Sequence, residues 1–154
     1  MKNNQLMIYG AYGYAGELMV REAVGQRLRP IIAGRDAEKL KPIATELSLE
    51  CRAFCVRNTG SNLQDISVLL NCAGPFSATA EPLARACLAQ QIHYLDITGE
   101  IDIFRKCHAL DEEARQQNVL ILPGAGTDIV PTDCLAAMLK EKLPVATRID
   151  LALS

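Results

Sequence analysis

The chain has 154 residues, 49% of them hydrophobic and 22% charged, the balance of one soluble globular domain with a sizeable core. A formal net charge of -2 argues against nucleic acid or an anionic membrane surface as the main partner. No run is long enough to span a bilayer and the N-terminal MKNNQLMIYG lacks a signal-peptide core, so the cytoplasm is the expected compartment.

Short apolar runs alternate with helical patterns along the chain. LMIY (Leu6 to Tyr9) reads as a first strand and GELMVREAVGQR as the helix after it. PIIA (Pro30 to Ala33) is a second strand, with its proline confined to the first position. Asp36 caps AEKLKPIATEL, in which Pro42 is expected to kink or restart the helix. CRAFCV (Cys51 to Val56) is a third strand and SNLQDI a short helical turn. SVLLNCA is a fourth strand, apolar throughout as a central parallel strand is. Thr79 is expected to cap EPLARACLAQQ, with Pro82 in the first turn. HYLDIT is a fifth strand. Ile103, Phe104, Cys107, Leu110 and Ala114 recur at helical spacing, which predicts one long helix from about Ile101 to Gln117. VLILP (Val119 to Pro123) is a sixth strand. GAGTDIVPTD then leads into a last helix, CLAAMLKEKL, and TRIDLALS reads as one more strand.

Strands and helices that alternate through short connections imply parallel strands joined by right-handed crossovers. The expected fold is α/β, a doubly wound parallel sheet of the Rossmann type that binds ligands at the carboxyl ends of its strands. Residues 1–146 are assigned to this domain. Residues 147–154 have no pairing partner in sequence and are assigned to the start of a second domain outside the chain.

Six cysteines invite a disulfide or zinc reading, but no pair forms C-x-x-C. Cys51 and Cys55 fall in the third strand, where they would share a face. Cys107-His108 is the one adjacent Cys–His pair, and no second pair completes a tetrahedral site. Free thiols packed as small hydrophobes are expected, and no metal.

Gly10, Gly13 and Gly16 form G-x-x-G-x-x-G between the first strand and its helix. The first glycine allows a turn that a side chain would block. The second lets a pyrophosphate approach the main chain, and the third lets the helix pack closely on the strand. The helix N-terminus offers unpaired N–H groups to the phosphates. About twenty residues on, an NAD site wants a carboxylate for the ribose. Here Arg35 follows Ala33-Gly34, and a guanidinium suits a 2′-phosphate. NADP is therefore expected over NAD, with Asp36 the competing reader of the ribose. Asn71 through Gly74, in NCAGPF, offer backbone or amide groups to the nicotinamide side. Asp96, Thr98 and Glu100 are expected to face the same cleft, Glu100 equally as a first-turn acid. Asp128 and Asp133 are placed on the substrate side, with helix capping the alternative for Asp133.

GAYGYAGEL, AGRDAEKL, NCAGPF, YLDITGE and GTDIVPTDCLA, in that order over roughly Leu6 to Ala137, resemble the NADP-binding domain of saccharopine dehydrogenase-like oxidoreductases, in the branch that includes trans-acting enoyl reductases. The resemblance implies a Rossmann domain followed by a substrate and dimerisation domain, so that this chain resembles the N-terminal part of a longer, homodimeric protein. It implies that Gly10, Tyr12, Gly13, Tyr14, Ala15 and Gly16 hold the pyrophosphate. By the same resemblance Arg35 holds the 2′-phosphate, and Ala73, Gly74 and Pro75 border the nicotinamide. Tyr12 is a departure, since a small hydroxyl residue is commoner there.

The expected function is to position the nicotinamide for hydride transfer with a small carbonyl, imine or enoyl substrate bound by the second domain. These residues alone are expected to be inactive, and none is assigned a catalytic role. The alternative is a non-catalytic NADP-binding sensor or scaffold. A self-contained short-chain dehydrogenase is disfavoured because Tyr94 is followed four positions on by Thr98 rather than Lys. A methyltransferase would want a carboxylate at the second strand's end, and no G-K-S/T follows the glycines to make a P-loop.

Overall fold

The computed structural model describes residues 5–127 and 129–150. Each apolar run becomes a strand: β1 (Leu6–Tyr9), β2 (Ile31–Gly34), β3 (Cys51–Ala53), β4 (Val68–Asn71), β5 (His93–Asp96) and β6 (Ile121–Leu122). All pairings are parallel, in the order β3-β2-β1-β4-β5-β6. Strand order reverses between β1 and β4, which fixes a crevice at their carboxyl ends. In register, Tyr9 lies opposite Ala33 on one side and Asn71 on the other.

The helices are α1 (Tyr14–Gly25), α2 (Ala37–Leu47), α3 (Phe76–Ala89), α4 (Ile101–His108), α5 (Asp111–Gln116) and α6 (Val130–Lys142), with a 3₁₀ turn at Gly60–Leu63. Alternate residues of each strand point to opposite faces, so each central strand feeds two cores. Met7, Tyr9 and Leu69 pack with Leu83 and Cys87 of α3 and Ile103 and Cys107 of α4. Ile8 and Ile32 pack on the other face with Val20 of α1 and Leu40 and Ile43 of α2. Burying a large aliphatic side chain of this kind is worth roughly 1.5–3 kcal/mol.

Several boundaries depart from the sequence expectation. The predicted helix over 101–117 is two helices, broken at Ala109 and Leu110. The break lets Leu110 and Ala114 stay in the core beside Ile103 and Cys107. Charge favours it too: α4 ends on Arg105, Lys106 and His108, and α5 starts on Asp111, Glu112 and Glu113, each complementing a helix dipole. α2 runs through Pro42 without restarting. The bond Pro42 cannot make is to the carbonyl of Glu38, which sits in the exposed first turn and can be met by water. α3 starts at Phe76 rather than Glu81, so Thr79 and Pro82 lie inside it and Thr79 is not its cap. β3 stops at Ala53, which leaves Cys55 outside the strand. Residues 147–150 form no strand, and 151–154 lie outside the described residues.

All six cysteines are free; Cys72, Cys87 and Cys107 are buried. Among the described residues no helix is long and apolar enough to cross a membrane, and no cluster of His, Cys, Asp and Glu could hold a metal ion.

Candidate functional site

The glycine loop sits at the point where strand order reverses. Gly10 and Ala11 both donate their N–H to the Ala33 carbonyl, at 2.8 and 3.1 Å, which ties the end of β1 to β2. Gly10 has φ +85°, and a Cβ there would lie 2.7 Å from the Ala73 nitrogen. A Cβ on Gly16 would lie 2.1 Å from the Gly10 carbonyl oxygen, so α1 packs directly on the turn. Gly13 differs. It is the N-cap of α1, donates to the Gly10 carbonyl at 3.0 Å, and a Cβ there would meet only that oxygen, at 3.3 Å. The rest of the space beside it is open.

That space is a cleft of about 340 Å³ at the carboxyl ends of β1, β2, β3 and β4. It brings together Gly10, Tyr12, Gly13, Arg35, Ala73, Gly74 and Pro75 of the expected residues. Cys72, inside the expected stretch from Asn71 to Gly74, lines it too, and it also gathers residues that sequence reasoning missed: Tyr9, Gly34, Cys55, Val56, Arg57, Ala78 and Thr79. No carboxylate is among its lining residues, and it carries two guanidinium groups. Asp36 does not compete for the cleft, because its carboxylate caps α2 by accepting from Glu38 and Lys39 N–H at 3.0 and 3.3 Å. Gly34 has a reason the sequence did not reveal. A Cβ there would fall 2.5 Å from the Tyr12 ring, so the glycine makes room for the tyrosine. Lys39 Nζ lies 5.7 Å from the same ring's centroid. Tyr14 and Ala15 are not among the cleft-lining residues; Tyr14, at 88% exposure, faces solvent in the first turn of α1.

Behind the cleft lies a buried polar network. Asn71 is fully buried. Its amide donates to Thr79 Oγ1 and to the Tyr94 hydroxyl, each at 3.1 Å, and its oxygen accepts from Ala73 N–H at 3.0 Å. Thr79 donates to the Ala73 carbonyl at 2.6 Å, and Tyr94 to Asp96 at 2.9 Å. The other Asp96 oxygen accepts from Thr98 and Gly124 N–H at 3.0 and 2.9 Å. Asp96 and Thr98 are fully buried and do not face the cleft as expected. They brace the loops after β5 and β6, while Asn71 shapes the turn from which Ala73, Gly74 and Pro75 reach the cleft. Such fully satisfied buried networks rigidify the segments they join. Glu100 serves a second helix: besides being the N-cap residue of α4, it accepts from Phe76 N–H of α3 at 3.1 Å. Asp133 lies in the first turn of α6, with Ile129 at the N-cap. Asp128 lies outside the described residues.

The protonation of the wall follows from burial. Burial first, then the Asp96 charge, pushes the Cys72 thiol up to about 12. Burial likewise pushes the Tyr9 phenol up to about 12, with Arg35 pulling it back. Burial and the neighbouring carboxylate drive the Tyr94 phenol far above its usual range. These groups keep their protons at neutral pH, so they act as donors and packing rather than as nucleophiles.

Comparison with known proteins follows the same outline. The family model described as the saccharopine dehydrogenase NADP binding domain matches residues 6–122. The saccharopine dehydrogenase-like oxidoreductase of Rattus norvegicus is 28% identical over 152 residues, covering 84% of this chain and 35% of that protein. A Mycobacterium tuberculosis protein provisionally named a trans-acting enoyl reductase is 27% identical over 145 residues, covering 83% of this chain and 33% of its own length. The solved saccharopine dehydrogenase (L-Glu forming) of Saccharomyces cerevisiae superposes with a TM-score of 0.78 at 12% identity. It matches over 94% of this chain and 32% of its own, a likeness of fold. The chain thus spans about a third of the length of the curated relatives it matches.

Proposed function

This chain belongs to the saccharopine dehydrogenase NADP-binding domain family, and on that premise we propose that the cleft over Gly13 holds the dinucleotide with its 2′-phosphate on Arg35. The observation that carries this reading is a bare backbone N-cap at the strand-order reversal, opening into a cleft with guanidinium groups and no lining carboxylate. The residues fit the group. Backbone of Gly10, Tyr12 and Gly13 lines the cleft where the pyrophosphate would lie, the α1 N–H groups of Tyr14 and Ala15 next to it would supply donors, and Gly16 supports them through packing. Arg35 supplies a paired donor to the phosphomonoester. Ala73, Gly74 and Pro75 border the nicotinamide end, held there by Asn71 and Thr79. Bound there, NADP would supply the hydride chemistry; the chain's own part is to bind, orient and shield.

For the whole protein we propose an oxidoreductase acting on a small carbonyl, imine or enoyl compound. Residues 1–146 would be its cofactor domain, and substrate and proton donor would be held by residues beyond them. Titration of NADPH and NADH into the purified chain tests the cleft reading. NADPH should bind at least about tenfold more tightly, the worth of one charge-assisted contact. Equal affinities would remove the 2′-phosphate role, and no binding of either would remove the reading.

A further inference from the structure

β2 and β3 end side by side. Gly34 pairs with Ala53, and Phe54 N–H donates to the Gly34 carbonyl at 2.9 Å, so the chains leaving the two strands start together. After Gly34 comes Arg35. After Phe54 the chain makes a tight turn, in which Asn58 N–H donates to the Cys55 carbonyl at 2.9 Å. Arg57 is the third residue of that turn. The turn is anchored from below: Phe54 and Val56 are buried, and the Tyr9 hydroxyl donates to the Phe54 carbonyl at 2.9 Å. Arg35 and Arg57 both line the cleft, and neither has an ion-pair partner among the described residues.

Two like charges share one cleft whose lining holds no carboxylate, a setting that favours a bound anion. The pyrophosphate does not answer both, since its place is on the glycine loop amides. A phosphomonoester carries about −1.5 to −2 charges at pH 7, enough for two guanidinium groups. We propose that Arg57 is a second specificity-determining residue of the cleft, closing on the same 2′-phosphate as Arg35 from the neighbouring strand end. The inference rests on the cleft reading above and adds a residue that strand β2 alone does not predict. The preference for a 2′-phosphate is then built from two neighbouring strand ends, and the anchored turn after β3 fixes the backbone that carries the second cation.

Adenosine 2′,5′-bisphosphate and 5′-AMP isolate the phosphate in question, because they differ only there. Titrated into the wild-type chain and Arg57→Gln, the bisphosphate should lose about tenfold or more in affinity on substitution, as one charge-assisted contact is worth. 5′-AMP should not change. Arg57→Lys should recover part of the loss, because it restores the charge without the planar fork. The melting temperature should be unchanged, since Arg57 is exposed and has no ion-pair partner among the described residues. Equal losses for both ligands, or no loss for either, would overturn the role of Arg57 while wild-type discrimination between them keeps the cleft reading. If the wild-type chain binds neither ligand, both fall.

Discussion

Gly13 and Gly16 of the first loop should fail in two different ways when substituted. Gly16→Ala puts a methyl group 2.1 Å from the Gly10 carbonyl oxygen and 2.8 Å from its carbon. Relief requires α1 to move by more than an ångström, or the turn to shift against two hydrogen bonds to Ala33. Overpacking of this kind costs about 1–3 kcal/mol, and a clash with backbone belongs at or above the top of that range. Better helix propensity returns about 1 kcal/mol. The net loss is about 2 kcal/mol, or roughly 4–8 °C in melting temperature for a domain of this size. Gly13→Val, in contrast, meets only one atom, at 3.3 Å, with an ordinary φ of -80°. It should fold within about 1 kcal/mol of wild type, as N-cap exchanges of this sort do, yet bind neither NADPH nor NADH measurably. Circular dichroism melts and cofactor titrations on the two variants decide it. A Gly16→Ala chain that melts like wild type, or a Gly13→Val chain that loses stability and binding together, refutes the division of labour.

Tyr94→Phe removes the hydroxyl that bridges Asn71 and Asp96, and should destabilise the domain by about 1–3 kcal/mol by leaving buried partners short of a bond; an unchanged urea midpoint would show that the bridge carries no stability. Stability should also collapse in alkali. Burial holds the Cys72, Cys87 and Cys107 thiols up to about 12, 12 and 11 from 9.0. Below pH 9 both states keep these protons and stability is full. Above it the unfolded chain releases them and the folded chain does not, so stability falls as pH rises. Three thiols give a slope that approaches about 4 kcal/mol per pH unit at about pH 10 and eases toward pH 11, where Cys107 itself titrates in the folded chain, and urea melts that stay flat from about pH 9.5 to 11 would contradict the burial. Cys55 is exposed and lines the cleft, whereas Cys51 and Cys134 are exposed outside it. Bound NADPH should slow maleimide labelling of Cys55 at least several-fold and leave the other two unchanged, as read by peptide mass spectrometry; equal protection of all three would place the cofactor elsewhere.

The succession of strands and helices and the glycine loop were legible because they rest on local pattern. LMIY between polar NNQ and a glycine turn admits one reading, and Asp36 before AEKLKPIATEL caps its helix as expected. Boundaries set by tertiary contacts were not legible. Ile103, Cys107, Leu110 and Ala114 keep a helical period across a break that contains no glycine or proline; only the switch from basic to acidic residues between His108 and Asp111 marks it. Thr79 has the chemistry of a cap, but the helix starts earlier, and its hydroxyl is drawn into the network with Asn71 and Tyr94. Asp96 looks like a cleft residue from its place at a strand's end, yet it turns inward because Tyr94, Thr98 and Gly124 all donate to it. Arg57 carries no sequence signal at all. It reaches the cleft because β3 pairs with β2 and stops early, a fact of pairing rather than of pattern. Gly34 has the same character, since its reason is a tyrosine ring from another loop.

The most direct measurement is the amide spectrum of the isotope-labelled chain as NADPH is added. Shifts should concentrate on Gly13, Tyr14, Arg35 and Gly74, and NADH should reproduce those at Gly13 and Gly74 while leaving Arg35 little changed. Shifts confined to α6 or the β6 edge, or no shifts at all, would contradict a dinucleotide lying on the first glycine loop.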